Sequence, residues 1–207
     1  MRDQFDNISP IDYRYWDAQV AKYLSENGFT RYKLSAEMAL VSALVDRGVC
    51  PDSVLVEVAR ACDQVTTKEV YEEEDRIHHD IRALVNCIRA KVSDEAKPYV
   101  HMTATSYDII DSANAARYSD VVQSVLIPAL LKLERVLIDI TLREAETLQI
   151  GRTHGQHAVG ITVGFAMAEY VSRLGGSIEA LKRLAEDLPG KFSGAVGAYN
   201  ASSLIWP

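Results

Sequence analysis

The sequence predicts an all-α protein, and three observations carry the prediction. Apolar residues recur at helical spacing in one run after another, two of those runs are far longer than an ordinary helix, and no run alternates apolar with polar residues as a half-buried strand would. Of the 207 residues, 48% are apolar and 25% charged, enough to build a sizeable core in one large domain or two small ones. The net charge of -7 argues against nucleic acid or an anionic membrane as the main partner, while leaving room for a local basic pocket that takes an anionic small molecule. No stretch supplies the roughly 18 uninterrupted apolar residues of a membrane span, and the N-terminus lacks the apolar run of a signal peptide, so a cytoplasmic protein is expected. Cys50, Cys62 and Cys87 are odd in number, lie in apolar helical patterns and show no CxxC spacing. They read as reduced core thiols.

In chain order, residues 1–17 form an irregular lead-in with a turn at Ser9-Pro10. Asp12-Tyr13-Arg14-Tyr15-Trp16 follows, three aromatics around an arginine: either an N-terminal arm that lays Tyr and Trp on a neighbouring helix, or an anion contact through Arg14, whose planar fork suits phosphate or carboxylate. Helices are expected over Asp17–Gly28 and Thr30–Gly48, each ending at a glycine, and over Asp52 to about Thr66, opened by Pro51. Residues 67–75 carry five acids and read as a solvated helix surface. Next come adjacent histidines with an acid, His78-His79-Asp80, leading into an apolar helix through Ile81, Leu84, Val85 and Ile88. Taken alone, an exposed His-His pair on a helix is more often ordinary surface than a site. Pro98 breaks the pattern, and His101 to Asp108 is a hydroxyl-rich loop in which Thr105-Ser106 with Asp108 signals a helix N-cap. The free N–H groups and positive dipole of such an end also suit an anion.

From Ala113 to about Leu148 the apolar stripe predicts a helix of some 35 residues, about 50 Å at 1.5 Å per residue, bent near Pro128. A second long helix is expected from about Val159 to Leu188, antiparallel to the first. Stripes of this length want partners beyond the chain itself and point to an oligomeric bundle. The division expected is 1–111, an N-terminal helical domain, and 112–207, an incomplete central bundle domain. A glycine-rich tail, Lys191 to Ala201, stops at Trp206-Pro207 without a closing element.

Between the two long helices lies Gly151-Arg152-Thr153-His154-Gly155-Gln156-His157-Ala158, an island of imidazole, guanidinium, hydroxyl and amide with glycine on either side of Thr-His. All five histidines fall in segments already singled out: 78–79, 101, and 154 with 157. A metal site would need more, since Gly155 works against a preformed helical face for His154 and His157, no cysteine is near and no HExxH pattern occurs. Acid–base chemistry on an anionic substrate fits better. An imidazole passes protons near neutral pH, and Arg14, Lys191 and helix-end N–H groups can hold carboxylate or phosphate. Elimination or addition is therefore expected; no GxSxG, Walker or GxGxxG sequence offers another chemistry.

These segments, together with Gly190-Lys191 and Gly194 to Ala201, occur in an order that resembles the adenylosuccinate lyase family of the fumarase/aspartase superfamily. The resemblance implies an all-α homotetramer whose bundle builds each active site from several subunits, a nucleotide substrate, no cofactor and no metal. It implies cleavage of adenylosuccinate to AMP and fumarate, and of the succinylated carboxamide ribotide of purine synthesis. By the same matching, His154 is the proton donor with Thr153 beside it, and Arg14 and Tyr15 contact the phosphate region. His78, His79 and Asp80 contact the substrate, Thr105 and Ser106 the fumaryl carboxylate, and Lys191 is a further substrate contact. Family members are about twice as long, so the chain is expected to be an N-terminal portion. The SSxMPxKxNP-type loop carrying the serine base, the third bundle helix and the C-terminal domain would then lie beyond Pro207. Two other readings remain open: a superfamily lyase acting on argininosuccinate or aspartate, and a non-catalytic helical scaffold.

Overall fold

The computed structural model describes residues 3–9 and 14–205; Pro10, Asp12, Tyr13, Trp206 and Pro207, which figure in the sequence expectations, lie outside them. The chain forms two compact units, one of Met1–Tyr118 with Leu188–Pro207 and the other of Ser119–Asp187.

In the first unit, Asp17 caps helix α1 (Ala18–Leu24), accepting from the Gln19 and Val20 N–H groups at 2.8 and 3.0 Å. The expected helix to Gly28 is cut short at Ser25, whose hydroxyl accepts from the Gly28 N–H and so opens α2 (Glu26–Asp46). A serine that satisfies a free helix-end donor outweighs the glycine as a boundary signal here. Gly48, at φ 69°, does mark the far end of α2. Pro51 precedes α3 (Asp52–Gln64). Thr66 and Glu69 form a reciprocal capping box that starts α4 (Thr67–Ile77). Then come α5 (Asp80–Arg89) and α6 (Ser106–Val121). The inner stripes of α2, α3, α5 and α6 meet in one core that includes Leu34, Val41, Leu44, Val58, Ile81, Leu84, Ile88 and Ile109. Full burial of each side chain contributes about 1.5–3 kcal/mol. The three cysteines are buried and unpaired there. Burial pushes the Cys62 thiol up to about 12 and Cys87 to about 11, which keeps both as inert thiols.

The second unit contains a π turn (Val122–Leu126), helix α7 (Ile127–Arg143), strands β1 (Leu148–Thr153) and β2 (Gln156–Thr162), and helix α8 (Val163–Glu186). The irregularity expected near Pro128 is the π turn just ahead of it; proline supplies no N–H and crowds the preceding turn, so the ladder slips. Among the described residues the protein is all-α apart from this one hairpin, which the sequence does not signal. The hairpin also shortens both long helices: α7 stops at Arg143 rather than Leu148, and α8 starts at Val163 rather than Val159. Alternation is masked because Leu148, Ile150 and Val159 are apolar but 83%, 52% and 77% exposed, so no polar face signalled a strand.

The helices run antiparallel, as expected: Gly164 lies against Thr141 and Ala145, and Gly175 against Glu134. A Cβ on Gly164 would come within 2.5 Å of the Thr141 carbonyl oxygen and 2.7 Å of Ala145 Cα. Both contacts are backbone and cannot yield, so Gly164→Ala should cost about 1–3 kcal/mol, read as a lower urea midpoint with unchanged slope. No helix among the described residues is long and apolar enough to cross a membrane.

Candidate active site

The island of the second unit is a tight turn. Thr153 pairs with Gln156, leaving His154 and Gly155 as a two-residue loop. Their φ values, 53° and 70°, are both positive, as a type I′ hairpin turn requires. Glycine takes this conformation freely; a histidine does so at a cost on the order of 1 kcal/mol. That cost is borne by a residue whose imidazole stands exposed at the hairpin tip. Thr153 flanks it, also exposed, and His157 faces Arg152 across the ladder, beyond a register shift between Ile150 and Arg152. His154 is therefore presented by backbone geometry rather than by side-chain packing, which suits a group that must meet a ligand.

In the first unit, His78-His79-Asp80 is the corner between α4 and α5. His78 terminates α4 in the left-handed conformation, φ 56°, and its N–H donates to the Glu74 carbonyl at 2.7 Å. His79 caps α5, its Nδ1 accepting from the Arg82 N–H at 3.2 Å. The neutral His79 ring thus carries its proton on Nε2, leaving that nitrogen as a donor for an outside partner. Both imidazoles are exposed and Asp80 is half-buried as the first residue of α5. The same features that make a helix corner leave two imidazoles on the surface.

Thr105 and Ser106 sit at the start of α6, both half-buried. The cap expected there forms from within the helix: Asp108 Oδ2 reaches back to accept from the Thr105 N–H at 3.0 Å. Asp108 does more than cap. It is 1% exposed, and its carboxylate also accepts from Lys191 Nζ at 2.6 Å, the Ser193 N–H at 3.0 Å and the Gly194 N–H at 3.2 Å. Burial alone would raise its pKa. The Lys191 ammonium and the Thr105 and Ser193 N–H groups outweigh burial and hold the carboxyl below its ordinary value. Lys191 is fastened further, by Gly194 O on its ammonium at 3.0 Å and by Ser112 Oγ on both its carbonyl and its N–H. The N-terminus of α6 and the glycine-rich tail are thereby one structure, in which Lys191 is tied to Asp108. Arg14 and Tyr15 are exposed, Tyr15 by 84%.

One pair escaped sequence reading. Glu37 of α2 is fully buried, and its Oε1 lies 2.6 Å from His101 Nδ1. His101 and Thr103 both have positive φ, 64° and 66°, so the hydroxyl-rich loop is held in two left-handed residues without a glycine. The signal available was a glutamate on the apolar stripe of α2, between Leu34 and Leu40.

The second unit thus displays an imidazole on a left-handed turn, and the first a hydroxyl-rich loop at the start of α6. A family profile described as Lyase matches residues 6–204, and the chain belongs to that lyase family. It is 37% identical to the adenylosuccinate lyase of Pyrococcus abyssi over 193 residues, covering 92% of this chain and 42% of that protein. The fold is similar to 3-carboxy-cis,cis-muconate lactonizing enzyme from Pseudomonas putida, with a TM-score of 0.84 and 26% identity over 94% of this chain and 45% of that one. It is likewise similar to a fumarate lyase from Mesorhizobium sp. BNC1, with a TM-score of 0.82 and 23% identity over 93% of this chain and 46% of that one. The chain spans less than half the length of each of these relatives.

Proposed function

We propose that the chain is part of an adenylosuccinate lyase that eliminates fumarate from adenylosuccinate, giving AMP, and from the succinylcarboxamide ribotide SAICAR, giving AICAR. The observation that carries the reading is His154 exposed on its strained turn in a chain whose curated relatives are adenylosuccinate lyases. In such an elimination a base takes a proton from carbon while an acid protonates the leaving nitrogen as the C–N bond breaks. His154 is the acid, and Thr153 orients the substrate beside it. Arg14 and Tyr15 bind the phosphate region, His78, His79 and Asp80 contact the substrate, and Thr105 and Ser106 the fumaryl carboxylate. Lys191 contributes through the α6 start, to which Asp108 fastens it.

The protein works in the cytoplasm without a cofactor, as a homotetramer with shared sites, its chain divided into 1–111 and 112–207. The tetramer is supported by the surface of the second unit: α7 buries no residue, and Leu142, Phe165, Tyr170 and Leu184 are 71%, 59%, 60% and 66% exposed. The 207 residues span 42% of the Pyrococcus abyssi relative, and by themselves they are inactive in this reading. Ultraviolet absorbance separates adenylosuccinate from AMP and tests both statements. The protein that contains this sequence should turn the substrate over, and the isolated 207 residues should leave the spectrum unchanged. Turnover by the isolated chain would refute its inactivity; no turnover by the longer protein would refute the lyase assignment.

A further inference from the structure

Three charged side chains are buried in the first unit among the described residues: Lys33, Glu37 and Asp108. Asp108 is met by Lys191 and backbone N–H groups, and Glu37 by His101. Lys33, on α2, is different. It is 6% exposed, yet among the described residues no carboxylate or carbonyl lies within hydrogen-bond or ion-pair distance of its ammonium. The ammonium rests on the Phe29 ring, 4.5 Å from its centroid. The same ring carries the Arg117 guanidinium of α6 at 3.9 Å. Arg117 in turn reaches neutral acceptors, Asn114 Oδ1 at 2.9 Å and the Tyr118 hydroxyl at 3.3 Å.

Two cations thus share one aromatic ring, and among the described residues no carboxylate forms a hydrogen bond or ion pair with either. The carboxylates of Glu26, Asp80 and Glu74 act on Lys33 from beyond contact range; burial, opposed by them and reinforced by Arg117, still leaves its pKa below the ordinary lysine value. Cation–π contact offsets part of the cost of burial but supplies no hydrogen-bond acceptor. Lys33, buried along its stem, and Arg117, bonded to neutral groups, thus place two cationic donors side by side on one ring. Arg117 and Phe29 are half-buried, so the place is reached from their side.

We propose that Lys33 and Arg117, held together on Phe29, form a subsite for an oxyanion, a phosphate or carboxylate group whose oxygens accept from both. The planar fork of arginine and the point charge of lysine suit a group with several equivalent oxygens. The oxyanion is either a free inorganic anion or a group of the substrate itself; in the second case the subsite rests on the lyase reading above.

The test uses the protein that contains this sequence, with Lys33→Met, Lys33→Arg and Arg117→Gln. Melting is followed in inorganic phosphate and in chloride at matched ionic strength, and KM and kcat are measured for adenylosuccinate. For a free anion, phosphate raises the Tm of the wild type above the chloride value. Lys33→Met abolishes that increment while melting no lower than wild type in chloride, Arg117→Gln lowers it and Lys33→Arg restores it. For a substrate group, Lys33→Met and Arg117→Gln raise KM about tenfold or more with kcat retained, the loss expected for one charge-assisted contact. If the wild type turns over no adenylosuccinate, the lyase reading fails while the phosphate arm still reports on the subsite. A phosphate increment that survives both substitutions together with unchanged KM overturns the proposal, and so does the absence of both effects. Should Lys33→Met fail to fold, Arg117→Gln, at a half-buried position, carries the same comparison.

Discussion

Replacing His154 by alanine in the protein that contains this sequence should lower turnover of adenylosuccinate by several orders of magnitude, about 4 kcal/mol or more of transition-state stabilisation. KM should change far less, since an acid that protonates the leaving nitrogen acts in the transition state. His154 is exposed at the hairpin tip and packs in no core, so its loss should not disturb the fold. His154→Asn sharpens the test, because asparagine accepts the left-handed conformation of the turn better than most residues. It keeps the hairpin and removes the proton donor. Progress curves read at the ultraviolet difference between substrate and AMP, with urea midpoints for both variants, separate catalysis from folding. Activity within tenfold of wild type in the asparagine variant would leave a non-catalytic helical scaffold as the better description.

The second large effect is expected at Asp108, and it is one of stability. Asp108→Ala removes a carboxylate that meets an ammonium and three backbone N–H groups in the interior, and should destabilise by about 3–5 kcal/mol. The loss should fall on the junction of α6 with residues 190–194, so amide exchange there should accelerate first. The pH dependence has a definite sign. Because the folded carboxyl lies below its ordinary value of 3.8, its contribution is fully present above that value and is lost as pH falls through the lowered one. The stability gap between wild type and Asp108→Asn, measured by urea at about pH 6 and again near pH 3, should therefore narrow toward acid. A gap that stays constant would mean that shape, and not charge, holds the tail.

Much of this was legible in the sequence, and the parts that were not share a physical cause. Helix existence followed from apolar period: the stripes through Leu34, Val41 and Leu44 and through Ile81, Leu84 and Ile88 are the ones the core buries. Boundaries followed less well, because Gly28 signalled a stop that Ser25 made three residues earlier. The hairpin was lost because strand alternation depends on one face being wet, and the exposed residues of β1 and β2 include apolar Leu148, Ile150 and Val159. The polar and titratable residues of the island stood out in the sequence, but its geometry did not. His154-Gly155 was noted for its imidazole, whereas its positive φ values depend on the pairing of Thr153 with Gln156. Asp108 and Lys191 were each noted, one as a cap and one as a substrate contact, and their bond spans 83 positions, beyond any local pattern. The pairing of Glu37 with His101, 64 positions apart, is of the same kind.

The bond between Asp108 and Lys191 also bears on how the molecule acquires its structure. The first unit is discontinuous, its last segment arriving after the whole stretch from 119 to 187 has been made. Closing that interval is an entropic event that the core of α2, α3 and α5 does not require, so docking of residues 190–194 on α6 should be a late and separate kinetic phase. Its cost grows only with the logarithm of the interval, about 0.6 kcal/mol for each doubling. The tie between the two ends is therefore nearly indifferent to how long the inserted helices become. Length can be added to or trimmed from the helical pair without loosening the seam that returns the chain to its first unit.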